Sequence, residues 1–109
     1  MDLLEAVLIV DDKPDVHQAI RLALEPHVRH VDGILSPETV AAMLGATRYD
    51  CVLLDMNFAA GERSGREGLD TLARIKAIDS GVAILFMTAF GAVSLAVESL
   101  KRGADDFLL

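Results

Sequence analysis

The chain has 109 residues, 52% of them hydrophobic, and a formal net charge of −7. That length holds one domain with a real core, and the acidic balance excludes a general nucleic-acid surface, because phosphate binding draws on Lys and Arg. No run approaches the roughly 18 apolar residues of a membrane span, and the opening "MDLLEA" places Asp2 and Glu5 where a signal peptide is basic, so a soluble cytoplasmic domain is expected.

Apolar runs alternate with helical patterns, with no internal repeat or linker. Ala6–Val10 is a continuous apolar run, the habit of a strand buried on both faces. It runs into the adjacent carboxylates of Asp11 and Asp12. Pro14 suits the first turn of a helix capped near Asp12 or Lys13. Val16, Ala19, Ile20 and Ala23 would form its inward face, and Pro26 ends it.

Val28–Leu35 is a weaker strand, interrupted by His30, Asp32 and Gly33 as an edge strand can be. Ser36 as N-cap and Pro37 behind it predict a second helix with Val40, Ala41 and Leu44, closed by Gly45. Cys51–Leu54 is the third apolar run and ends on Asp55. The lone Cys51 has no partner for an internal disulfide and reads as a small core hydrophobe.

Leu69–Ile78 predicts a third helix with Leu72 and Ile75 inward. Val82–Met87 is the fourth run and ends at Thr88. Val93, Ala96, Val97 and Leu100 mark a fourth helix, stopped by Gly103, and Asp106–Leu109 begins a fifth strand. Alternating strands and helices imply an α/β fold, a parallel sheet with helices on both faces. Ligands of such sheets collect beyond the carboxyl ends of the strands. There stand Asp11, Asp12, Asp55 and Thr88.

Carboxylates held close together need a cation to ionise together, and hard oxygens suit Mg²⁺. A carboxylate beside Mg²⁺ can attack phosphorus to form an aspartyl phosphate, a transfer that needs position and charge neutralisation. Thr88 is placed to bind a phosphoryl oxygen. No side-chain cation stands in a suitable place; Lys13 is close in sequence but is expected to point from the first loop.

The motifs "VLIVDD", "VLLDMN", "LFMTAFG" and "KRGADDFLL" together resemble the response-regulator receiver domain of two-component signalling, in order and spacing, over residues 1–109. The resemblance implies a flavodoxin-like, doubly wound, five-stranded sheet of strand order 2-1-3-4-5. It implies that Asp55 accepts a phosphoryl group from a phosphohistidine on a sensor histidine kinase or phosphotransfer protein. Asp11, Asp12 and Asp55 would hold Mg²⁺, with the backbone carbonyl of Asn57. Thr88 would contact the phosphoryl group and move on activation, small Ala89 would leave access to Asp55, and Phe107 would be the aromatic switch. Homodimers would form through the fourth helix and fifth strand. No direct contact with nucleic acid or membrane is implied.

Two departures stand out. The family carries a Lys three residues after the switch aromatic, which falls at position 110, so the chain reads as cut short before that Lys and the last helix. The loop "MNFAAGERSGREGL" is also longer than is common. With "MTAFG" and "LAVESLKRGADDFLL" it is most similar to receivers of NtrC-type transcriptional activators.

Other features carry less. Gly61, Gly65 and Gly68 lack the Gly-Lys-Ser/Thr of a phosphate loop, and "GERSGRE" reads as a solvated charge run. His27 and His30 lack a third ligand, and His17 is expected to be solvated. An aspartate-nucleophile phosphohydrolase is the alternative, but "MNF" follows Asp55 where such enzymes place a second Asp two residues on. A pseudo-receiver that only binds a partner is the third reading. The expectation is a switch, not an enzyme.

Overall fold

A computed structural model describes residues 4–55, 66–87 and 106–108, with 66–68 and 106–108 described as secondary structure. In chain order the elements are β1 (Leu4–Val10), α1 (Pro14–Leu24), β2 (Val28–Ile34), a 3-10 turn (Pro37–Thr39) running into α2 (Val40–Ala46), β3 (Cys51–Asp55), α3 (Arg66–Ile78), β4 (Ala83–Met87) and β5 (Asp106–Leu108). All strand pairings are parallel, in the order β2-β1-β3-β4-β5, the order expected. Asn57, Thr88, Ala89, the side chain of Phe107 and the predicted fourth helix lie outside the described residues.

Strand alternation sorts the core into two layers. Leu8, Val10, Val52, Leu54, Ile84 and Phe86 face Val40 of α2 and Leu69, Leu72 and Ile75 of α3. Val7, Ile9 and Leu53 face the other way, where Ile20 and Leu24 of α1 pack. Burial on both faces explains why the strands read as unbroken apolar runs. Leu8, Ile9 and Leu54 are fully buried, and each such side chain contributes about 1.5–3 kcal/mol. On the second layer Cys51, Leu85 and Met87 are half-buried, so Cys51 packs as the small hydrophobe expected.

β1 begins two residues before the apolar run. Asp50 Oδ2 accepts the Glu5 and Ala6 N–H groups at 2.7 and 3.2 Å, and the Leu4 N–H donates to the His27 carbonyl at 3.0 Å. These bonds hold the strand's start, where Leu4 and Glu5 are exposed. β2 tolerates polar residues because they find partners. The Tyr49 hydroxyl donates to Asp32 at 2.5 Å, and His30 lies 2.8 Å from the same carboxyl. Burial first, then the hydrogen bond and charge of Asp32, push the Tyr49 phenol up to about 12.

Three helix expectations need correction. The inward face of α1 is not Val16–Ala19–Ile20–Ala23: Ala19 and Ala23 are exposed, and His17 is buried beside Ile20 and Leu24. Ser36 does act as a cap, its hydroxyl accepting the Glu38 N–H at 3.2 Å, but it opens the 3-10 turn that precedes α2. Gly45 lies inside α2 and does not close it; the Thr47 N–H closes it on the Met43 carbonyl at 3.0 Å. Val40, Ala41 and Leu44 lie in α2 as expected, Val40 buried, Leu44 half-buried beside Met43, and Ala41 exposed. Leu72 and Ile75 of α3 are fully buried as expected, although the helix starts at Arg66. Among the described residues no helix is long and apolar enough to cross a membrane.

Candidate metal centre

β1 and β3 are hydrogen-bonded neighbours in a register that sets Val10 opposite Leu54. The next residue on each side is an aspartate. Parallel pairing therefore delivers Asp11 and Asp55 to the same sheet edge, at the point where chain connections diverge to either side. The Asp11 N–H is held by the Ile34 carbonyl of β2 at 3.2 Å. Asp11 is 4% and Asp55 7% exposed, while Asp12 is half-buried and faces the rim.

One oxygen from each of Asp11, Asp12 and Asp55 lies within 4.8 Å of the others. At such a spacing two unit charges repel by about 3–4 kcal/mol at an effective dielectric near 20. Three like charges in one place therefore require positive charge. The sequence rule thus brings these three residues together as expected, and all three offer hard oxygens of the kind that magnesium prefers.

Part of that positive charge is already present, and its source is a correction. Lys13 does not point away. Its Nζ lies 3.1 Å from Asp12, 3.4 Å from Asp55 and 3.9 Å from Asp11. The local turn explains the aim. Asp11 Oδ1 accepts the Lys13 backbone N–H at 2.8 Å, and Lys13 is the extended N-cap residue of α1, followed by Pro14. That folded-back loop carries the side chain over the strand ends. Partial burial pulls the ammonium's pKa down, but the hydrogen bond to Asp12 and the charges of Asp55, Asp11 and Asp12 outweigh it, so the pKa stands above the ordinary lysine value. Three carboxylates gathered around one ammonium form a site whose charge and hard oxygens suit a divalent cation.

His17 supplies the second correction. Its Nε2 lies 2.6 Å from the Asp11 carbonyl oxygen. A carbonyl only accepts, so Nε2 carries the proton and donates. The ring fixes the main chain of Asp11 from behind. It fits because β2 has Gly33 at that point: a Cβ there would overlap His17 Nδ1 and Cε1. Gly33 lies within β2, paired with Ile9, and leaves room for the ring; the pairing of glycine with a buried histidine could not be seen without the register. Gly33→Ala is expected to shift the ring, loosen the Asp11 carbonyl and destabilise the domain by about 1–3 kcal/mol, read by urea unfolding.

The chain matches the response regulator receiver domain family over residues 7–109. It is 34% identical over 103 residues to the transcriptional regulatory protein ZraR of Salmonella typhimurium, a match that covers 94% of this chain and 22% of that protein. It thus spans about a fifth of that relative's length. It is 28% identical over 104 residues to the response regulator protein PilR of Pseudomonas aeruginosa, covering 95% of this chain and 22% of that protein. Among solved structures, the receiver domain of a two-component response regulator from Bacteroides fragilis superposes with a TM-score of 0.84 at 35% identity, over 96% of this chain and 84% of that one. The fold, the acidic strand ends and these likenesses agree, and the chain belongs to the response regulator receiver domain family, a signalling module of two-component systems.

Proposed function

We propose that Asp55 is the phosphoacceptor of this receiver domain. Its donor is a phosphohistidine on a sensor histidine kinase or phosphotransfer protein, and its output is transcriptional. The observation that carries the reading is the convergence of Asp11, Asp12 and Asp55 at one sheet edge, with one oxygen of each within 4.8 Å of the others. In the reaction an Asp55 carboxylate oxygen attacks phosphorus, the phosphorus–nitrogen bond of the donor breaks, and the leaving imidazole takes up a proton. Asp11, Asp12 and Asp55 would hold a Mg²⁺ ion, which would supply charge neutralisation for phosphoryl transfer. The chain's own contribution is positional. β1 and β3 fix the two buried acids, and His17 holds the Asp11 main chain.

Four further assignments rest on the family resemblance: the Asn57 carbonyl as a metal ligand, Thr88 as the hydroxyl that follows the phosphoryl group, Ala89 as the small residue beside Asp55, and Phe107 as the aromatic switch. So do the assignment of residues 1–109 as one receiver domain, a homodimer through the fourth helix and β5, and a cytoplasmic setting. Register supports the placing of Phe107, since it lies opposite Phe86 in the β4–β5 pair. The name of the relative ZraR, a transcriptional regulatory protein, supports the output.

The test is incubation with acetyl phosphate and Mg²⁺, followed by intact-mass measurement. One phosphoryl adduct is expected. It should be absent without Mg²⁺ and absent in Asp55→Ala. An adduct of equal yield in Asp55→Ala contradicts the assignment.

A further inference from the structure

We propose that Lys13 is a tethered counter-cation of the acidic cluster, and that it competes with the divalent ion for the same three carboxylates. The inference rests on the reading of Asp11, Asp12 and Asp55 as the metal site, and it adds a residue to which that reading gave no role. The geometry is specific. Nζ lies 3.1, 3.4 and 3.9 Å from one oxygen of Asp12, Asp55 and Asp11 in turn.

An ammonium among those oxygens stands where a metal must stand. Mg²⁺ holds its oxygens at about 2.0–2.1 Å, which leaves no room for Nζ within hydrogen-bond distance of all three acids. Metal entry and ammonium exit are then one exchange. The exit is easy because the Lys13 side chain is 59% exposed, and its stem can swing to water without uncovering core. Its backbone N–H stays on Asp11 Oδ1 throughout, so the exchange need not unwind the start of α1.

Two consequences follow. In metal-free protein Lys13 relieves repulsion among the acids, so the cluster keeps its shape while empty of metal. In return the metal must displace a resident charge, and the domain is filled only above a higher Mg²⁺ concentration. Lys13 is a positioning residue on this account, acting through the three acids.

Calorimetric titration of the metal-free domain with magnesium chloride at low ionic strength tests this. Lys13→Met keeps the apolar stem and removes the charge; Lys13→Arg keeps the charge. Exposed ion pairs are worth little each, so Lys13→Met should bind Mg²⁺ about threefold to tenfold more tightly than wild type. Lys13→Arg should stay close to wild type. The gap should narrow as ionic strength rises, since salt screens an exposed charge. Equal or weaker binding by Lys13→Met, with wild type still binding, overturns the role of Lys13 and leaves the metal site standing. Tighter binding by Lys13→Arg to the same extent as Lys13→Met also overturns it. No Mg²⁺ binding by any form overturns both readings.

Discussion

Asp11→Asn is expected to lower Mg²⁺ affinity at least about tenfold, equivalent to about 1.4 kcal/mol, and to slow phosphorylation by acetyl phosphate in parallel. The substitution is chosen because it isolates charge from shape. Asn keeps an oxygen where Asp11 Oδ1 now accepts the Lys13 N–H at 2.8 Å, so the turn into α1 is retained. The main-chain bonds to Ile34 and His17 do not involve the side chain. What disappears is one formal charge from the three-acid cluster. Metal binding to the native state alone stabilises a protein by about 2.7 kcal/mol at a hundred times the dissociation constant. Wild type should therefore melt at a higher temperature in Mg²⁺ than in chelator, and Asp11→Asn should lose most of that increment. Without metal the variant should melt no lower than wild type, because a like-charge repulsion has been removed. A full Mg²⁺ increment in Asp11→Asn contradicts the assignment of Asp11 as a ligand.

Phe86→Ala is expected to destabilise the domain by about 3–5 kcal/mol. Phe86 is fully buried in β4, opposite Leu54 of β3, and belongs to the layer closed by α2 and α3. Truncation removes apolar burial and leaves a cavity between a sheet and two helices that cannot both move in. A domain of this size has about 5–15 kcal/mol in total, so the variant should lie near the limit of folding and its urea midpoint should fall steeply. Leu22→Ala is the control: Leu22 is 64% exposed, and its loss should stay within about 0.5 kcal/mol. Similar losses for the two substitutions would contradict the core as described.

The strand ends were legible because a parallel sheet obeys a simple rule. Apolar runs that end in Asp11 and Asp55 place those acids side by side whenever β1 and β3 are neighbours, and the register shows that they are. The face of α1 was not legible. Periodicity scores apolar residues, and it passed over His17 in favour of Ala19 and Ala23. A histidine can turn inward when its one polar need is met, here by the Asp11 carbonyl, and when a glycine opposite makes space. Neither condition appears in a local window.

The direction of Lys13 is hidden from a linear reading for a related reason. A lysine beside two aspartates in sequence looks like a surface charge on a loop. Its direction depends on the loop folding back through the Asp11 Oδ1 bond to the Lys13 N–H, which a linear reading does not contain. Gly45 shows the reverse error. A glycine near a helix end suggests a stop, yet α2 runs on by one residue and ends at Thr47 through a backbone bond.

Asp55, among the three clustered acids, is the residue proposed to become phosphorylated. Reductive trapping tests it most directly. An acyl phosphate is an activated carboxyl, which borohydride reduces to the alcohol, whereas a free carboxylate is left alone. The domain is treated with acetyl phosphate and Mg²⁺, reduced, digested and sequenced by mass spectrometry. Conversion of the side chain at position 55 alone, dependent on Mg²⁺, is the predicted result. Conversion at position 11 or 12, or at none of the three, would contradict it.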